Sequence, residues 1–141
     1  MIPATAFFLV AAMAFSLPPT GGDGAEFRNA AIALGQSIDA ARTGGMNEPD
    51  LEAWVQRTRE LRERALAARA ALEAAAGEDE AALERLFRSP TWAGYGFTVA
   101  ATRYWRSWLD LDRYRFSGNT ADLEAARHGF QTTIVLIVYP G

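Results

Sequence analysis

An unbroken apolar stripe over residues 51–75 constrains the fold of this chain more than any other feature. The stripe positions alternate between steps of three and four residues: Leu51, Trp54, Thr58, Leu61, Ala65, Ala68, Leu72 and Ala75. Such spacing returns to one side of an α-helix and is typical of a heptad seam. The stripe therefore predicts a long helix that buries this side against another helix.

The segment before this stripe offers a partner with the same spacing. Its apolar positions are Phe27, Ala31, Leu34, Ile38 and Ala41. Gly44 and Gly45 can end this first helix, and Asn47 or Asp50 can cap the second. Because the connecting loop is short, we expect an antiparallel hairpin over Phe27–Ala76. A second copy of the chain, packed on the 51–75 stripe, is the alternative.

Three further helices are predicted in the rest of the chain. A short amphipathic helix spans Glu80–Arg88, and an aromatic-rich helix lies within Thr91–Phe116 and begins after Gly94 and Gly96. Its core side is expected to carry residues spaced four, three, four and three apart: Phe97, Ala101, Tyr104, Trp108 and Leu111. The third helix begins at Thr120 and carries Leu123, Ala126, Phe130 and Ile134 on one face. The β-branched residues 132–139 at its end could form a strand, but no second strand is predicted to pair with them. The expected fold is an all-α bundle of about five helices.

Residues 2–17 form a separate apolar segment without a single charge, and Pro18 and Pro19 follow it. The segment resembles the apolar core of an export signal cleaved before Ala25, although a basic start is missing. A membrane anchor is an alternative, but sixteen helical residues reach about 24 Å, short of a ~30 Å hydrocarbon core. A packed core helix is the third interpretation. We therefore divide the chain into an N-terminal segment, 1–24, and one all-α domain, 25–141.

Composition excludes several classes of chemistry. With no Cys and one His, the chain has no disulfide framework, thiolate zinc site or cysteine nucleophile. The formal net charge of -3 is unfavourable for general nucleic-acid binding. No phosphate loop, nucleophile elbow or dinucleotide fingerprint is present, and we expect neither a cofactor nor a metal. Abundant Ala and Arg, with no Lys, indicate a GC-rich bacterial source.

The last two predicted helices resemble one tetratricopeptide (TPR) unit over about residues 100–140. Trp108 and Leu111 match the start of the first helix of that motif, and Ala126 and Phe130 match the second helix. Asp112 stands where the family prefers Gly, and Tyr114 falls one place early. The resemblance implies a scaffold that binds peptides or proteins, and it implies no catalytic residue.

Two sets of residues are candidate sites. Arginines beside an aromatic residue are favoured at protein interfaces, and this pattern predicts a partner surface formed by Arg103, Trp105, Arg106, Arg113 and Arg115. On a helix, Trp105 would lie on the charged side, unless it covers a neighbouring helix. A pocket is the second candidate, lined by Trp92, Tyr95, Phe97 and Trp108. His128 is expected to be a surface or helix-packing residue, and the acids Asp110 and Asp112 are expected to be structural.

These features predict a non-enzymatic helical scaffold or accessory subunit that binds a protein partner. We expect it to be exported to the periplasm or membrane-tethered. One alternative is a small subunit of a membrane complex, with residues 2–17 in or against the bilayer. Another is a small all-α ligand carrier or enzyme with an aromatic pocket.

Overall fold

The computed structural model describes the backbone of residues 24–138 and the side chains of residues 24–133. Over this range the chain forms five helices and no strand: α1 Gly24–Thr43, α2 Glu48–Ala76, α3 Glu80–Phe87, α4 Pro90–Ser117 and α5 Thr120–Val138. The prediction of an all-α bundle is confirmed, and the described part of the ambiguous tail is helical. The predicted export or anchor segment, residues 2–17, lies outside the described residues. Among the helices described, none is both long and apolar enough to span a bilayer.

Local sequence sets the helix ends. The side chain of Asn47 accepts a hydrogen bond from the Asp50 amide at 2.9 Å and caps α2. Ser89 caps α4 in the same way, by accepting from the Trp92 amide at 3.2 Å. Since Pro90 suits the first turn of a helix, α4 begins there, and the predicted start after Gly94 and Gly96 was wrong.

Helix α4 is the central element of the bundle, and α1, α2 and α5 all pack along it. Helix α1 runs parallel to α4, because Gly24 lies against Gly94 at one end and Arg42 pairs with Asp112 at the other. Helices α2 and α5 run antiparallel to α4. The predicted hairpin needs a correction, because α1 and α2 pack on α4 far more extensively than on each other.

The two predicted stripes supply most of the buried core. Phe27, Leu34 and Ile38 of α1 are fully buried, as are Leu51 and Leu61 of α2. The α2 stripe is buried from residue 51 to residue 65, and its last turns are half-buried or exposed. The first half of the stripe is therefore covered by the chain itself, and a second copy would have only residues 68–75 to contact.

The core side of α4 differs from the prediction because it combines Tyr95, Val99 and Leu109 with buried hydroxyl residues. Thr98 and Thr102 are buried, and each hydroxyl donates to the carbonyl four residues earlier, at 2.9 and 2.8 Å. Since these hydroxyls are satisfied within the helix, they can be buried at little cost. Phe97 and Tyr104, which the spacing placed in the core, are instead 39% and 38% exposed.

Candidate functional site

The aromatic side of α4, which the sequence placed in the core, forms the floor of a groove. Helices α1 and α5 both pack on α4, but within the described residues they make no close backbone approach to each other. Between them runs one row of α4, spaced four, three and four residues apart: Phe97, Ala101, Tyr104 and Trp108. We call this row and its two walls the aromatic groove.

The first wall is a face of α1. The Arg28 guanidinium lies over the Phe97 ring, 5.1 Å from its centroid. Gly35 contacts the Trp105 indole so closely that a Cβ there would overlap the ring. Ile32 lies between these two contacts on the same helix face, and it is 42% exposed. This wall therefore presents an apolar side chain to solvent.

The second wall is formed by α5. Its Phe130 ring packs edge-on against Trp108 at 5.3 Å and against Tyr104 at 6.0 Å between centroids. Helix α5 approaches α4 closely because Gly129, lacking a side chain, contacts Ser107. The three rings are thereby held in edge-to-face geometry, which favours a fixed arrangement.

The amino end of the groove opens into a cavity. It has a volume of about 500 Å³ and is lined by the first turns of α1 and α4: Gly24, Ala25, Arg28, Pro90, Thr91, Ala93, Gly94 and Phe97. Arg28 is the one charged residue of this lining. The cavity adjoins Gly24, the first residue that the structure describes.

The carboxyl end of the groove is fixed by ion pairs. Asp112 is 8% exposed and is bound by Arg42 at 2.5 Å and by Arg115 at 3.2 Å. Arg42 also lies over the Trp108 ring, 4.5 Å from its centroid. Since breaking a buried pair leaves an uncompensated charge, these contacts hold α1 in register with α4.

A second buried carboxylate lies on the opposite side of α4. Asp110 is 6% exposed and is bound by Arg106 at 3.0 Å and by Arg113 at 3.2 Å. Arg113 also reaches Glu52 of α2 at 2.7 Å. Asp110 and Asp112 thus have structural roles, each holding two arginines.

The five residues of the predicted partner surface are spread around α4. Trp105 faces Gly35 of α1 and packs against the core. Its expected place on the charged side is wrong, and the alternative, that it covers a neighbouring helix, is right. Arg106 and Arg113 are held by Asp110, Arg115 lies at the carboxyl end of the groove, and Arg103 is half-buried.

The four residues of the predicted pocket also separate. Phe97 and Trp108 lie in the floor of the aromatic groove. Tyr95 is 3% exposed and packs edge-on against Phe27 at 5.1 Å. Trp92 packs against Phe87 at 5.0 Å, beneath the Arg69 guanidinium. The structure therefore does not gather these rings into one pocket.

Sequence spacing found the floor of the groove but assigned it to the core. The wall residue Ile32 gave no distinguishing signal, because it lies just beside the buried stripe of α1. Within residues 24–133, no group of three or more His, Asp or Glu side chains is placed so that it could hold a metal ion. His128 is exposed, as expected.

Comparison with known proteins gave no match to a family model, a curated protein or a solved structure. The resemblance of residues 100–140 to a TPR unit stays a prediction.

Proposed function

We propose that this protein is a non-enzymatic helical scaffold or accessory subunit that binds an apolar helical segment of a protein partner in the aromatic groove. The observation that carries the proposal is the exposure of three large apolar side chains in the wall and floor of the groove. Ile32, Phe97 and Tyr104 are between 38% and 42% exposed, whereas the core residues around them are fully buried. Contiguous exposed apolar surface in a folded protein commonly marks an interaction site.

The shape of the groove suits a helix. A groove between two helices, with a third helix as its floor, accepts the apolar face of an amphipathic helix. Aromatic rings in such a position supply large contact area, and they are enriched among residues that dominate binding energy. The Tyr104 and Trp108 rings are already fixed by contacts with Phe130, so binding would order few side chains.

The test compares two equally exposed apolar residues in full-length protein. Ile32 of the groove wall and Leu66 of α2 are each 42% exposed, and α2 does not border the groove. Wild type, Ile32→Glu and Leu66→Glu are immobilised, and bound proteins from an extract of the source bacterium are identified by mass spectrometry. Thermal unfolding confirms that each variant is folded.

We expect a partner that binds wild type and Leu66→Glu but binds Ile32→Glu at least about tenfold more weakly, because a buried carboxylate at the interface is unpaired. A second groove variant, Phe97→Glu, should give the same loss. A partner retained equally by all variants would place the interface elsewhere and contradict the proposal.

The location of the protein is a separate part of the proposal. An exported or membrane-tethered protein is consistent with the uncharged residues 2–17, and the N-terminal mass after expression in an export-competent bacterium tests it. A mature start near Ala25 supports export, whereas Met1 retained in the membrane fraction supports an anchor. Met1 retained in the soluble cytosolic fraction would contradict both.

A further inference from the structure

We propose that Arg62 of α2 and Arg103 of α4 form a binding site for a phosphate group, either free or carried by a small soluble molecule. The site lies on the side of α4 that packs against α2, away from the aromatic groove. It is therefore independent of the partner surface proposed above, and its ligand belongs to a different chemical class.

One contact between α2 and α4 shows that both arginines lie on facing sides of the two helices. The Arg69 guanidinium of α2 lies over the Trp92 ring of α4, 4.1 Å from its centroid. Arg62 precedes Arg69 by seven residues, and Arg103 follows Trp92 by eleven. Since seven and eleven residues are close to whole numbers of helical turns, each arginine lies on the side of its helix that makes this contact.

A second contact shows that the two arginines lie at the same height. Arg113 of α4 and Glu52 of α2 form an ion pair at 2.7 Å. Because the two helices run antiparallel, residues equally far from this pair lie opposite each other. Arg62 follows Glu52 by ten residues, and Arg103 precedes Arg113 by ten. Both side chains therefore border the same stretch of the α2–α4 interface.

Neither arginine has an acidic partner within the described part of the chain. The Nε atom of Arg62 is buried and has no hydrogen-bond partner, and none of the ion pairs found involves Arg62 or Arg103. Two other arginines of α4, Arg106 and Arg113, both hold Asp110. Since a buried polar nitrogen without a partner is unfavourable, a ligand that accepts a hydrogen bond from it is favoured there.

The sequence supplies no acid at the helical positions that reach either arginine. The residues three and four positions away are Thr58, Arg59, Ala65 and Leu66 around Arg62, and Val99, Ala100, Arg106 and Ser107 around Arg103. Glu63 adjoins Arg62 in the chain, but adjacent residues do not share a side of a helix. Helix α5 carries no acid after Glu124, which pairs with Arg127. The described chain therefore leaves two positive charges uncompensated here.

Charge and geometry favour a phosphate group as the ligand. A phosphate monoester carries a charge of about −1.5 to −2 near neutral pH and has three acceptor oxygens, which matches two guanidinium groups. A carboxylate carries a single negative charge and compensates only one of them. Each planar guanidinium can donate two parallel hydrogen bonds to such oxygens. The bond from the buried Nε of Arg62 is strengthened by its low-dielectric surroundings.

Calorimetric titration of the full-length protein with inorganic phosphate tests the proposal. The titration is run at constant ionic strength, so that general screening by salt does not contribute. Arg62→Gln and Arg103→Gln each remove one guanidinium. Arg85→Gln is the matched control, because Arg85 is an exposed arginine of α3 outside the site. Thermal unfolding checks that every variant is folded.

We expect wild type and Arg85→Gln to bind phosphate equally. Each site variant should bind it at least about tenfold more weakly, because a charge-assisted contact is lost. Arg62→Lys keeps the charge but not the paired donors, and it should weaken binding less than Arg62→Gln. Acetate should bind wild type at least about tenfold more weakly than phosphate, because it compensates one arginine only.

Glycerol 3-phosphate distinguishes the two sources of the phosphate group. Binding at least as tight as that of inorganic phosphate identifies a phosphate ester as the ligand, whereas loss of binding restricts the site to the free ion. NMR of the Arg62 Nε–H group provides a second measurement on the folded wild type. Its signal, assigned by its loss in Arg62→Lys, should move when phosphate is added.

Equal phosphate affinity of wild type and both site variants would overturn the proposal. The absence of phosphate binding to wild type, an unmoved Arg62 signal, or acetate binding as tight as that of phosphate would do the same. None of these results bears on the aromatic groove, because Ile32→Glu and Phe97→Glu test that surface separately.

Discussion

At the scale of single residues, glycines decide how closely the helices approach. A Cβ at residue 35 would overlap the Trp105 indole, whereas a Cβ at residue 96 would have no neighbour within 4 Å. Both glycines lie inside helices, where Gly is less stable than Ala by roughly 0.5–1 kcal/mol. The same substitution should therefore have opposite effects at the two positions.

We expect Gly35→Ala to lower the free energy of unfolding by about 1–3 kcal/mol, because the overlap forces α1 away from α4. Gly96→Ala should raise it by about 0.5–1 kcal/mol. Urea unfolding followed by circular dichroism measures both. If Gly35→Ala were as stabilising as Gly96→Ala, the close contact between α1 and α4 would be incorrect.

At the scale of helices, sequence spacing predicted the elements better than their faces. The stripes of α1 and α2 were identified correctly because their buried positions are mostly aliphatic or aromatic. The face of α4 was not, because Thr98 and Thr102 look like surface residues in a sequence. Their burial depends on hydroxyl bonds to the helix's own carbonyls, which spacing does not reveal.

The same limitation explains the misplaced site residues. Arg106 and Arg113 look like a solvent-exposed pair in the sequence, but Asp110 is buried and holds both. Which helices border α4, and on which sides, is set by the close contacts at Gly35 and Gly129. Long-range pairing of this kind has no signature in local spacing, so the groove between α1 and α5 emerges only from the fold.

Helix α2 allows a test within one element, because only the first half of its apolar stripe is buried by the rest of the chain. Leu61 is fully buried, and Leu66, little more than one turn later, is 42% exposed. We expect Leu61→Ala to lower the free energy of unfolding by about 2–5 kcal/mol through the cavity it leaves. Leu66→Ala should lower it by less than about 1 kcal/mol.

Chemical denaturation of the two variants measures this difference on one helix with one kind of substitution. A large loss for Leu66→Ala would mean that the second half of α2 is covered in solution. The second copy considered for the 51–75 stripe would then be the first explanation to examine, by measuring the mass of the particle in solution.

At the scale of the whole molecule, the helices differ in how many neighbouring helices they pack against. Within the described residues, α1 and α2 share a core with α4, whereas α5 packs on α4 alone. Of the described α5 side chains, only Ala126 and Thr133 are buried, and an element that buries few side chains opens at lower free energy than the core. Because α5 is one wall of the aromatic groove, its opening would also remove half of the proposed binding surface.

We expect Gly129→Leu to detach α5 while the remaining helices stay folded, because a side chain there meets Ser107. Amide hydrogen exchange in α5 should accelerate at least about tenfold, equivalent to ~1.4 kcal/mol, with the slowest amides of α1 and α2 unchanged. Ala125→Leu, on an exposed position of α5, is the matched control and should change neither. Equal acceleration throughout the chain would instead show that α5 unfolds in one cooperative unit with the core. The α5 wall of the groove could then not open by itself.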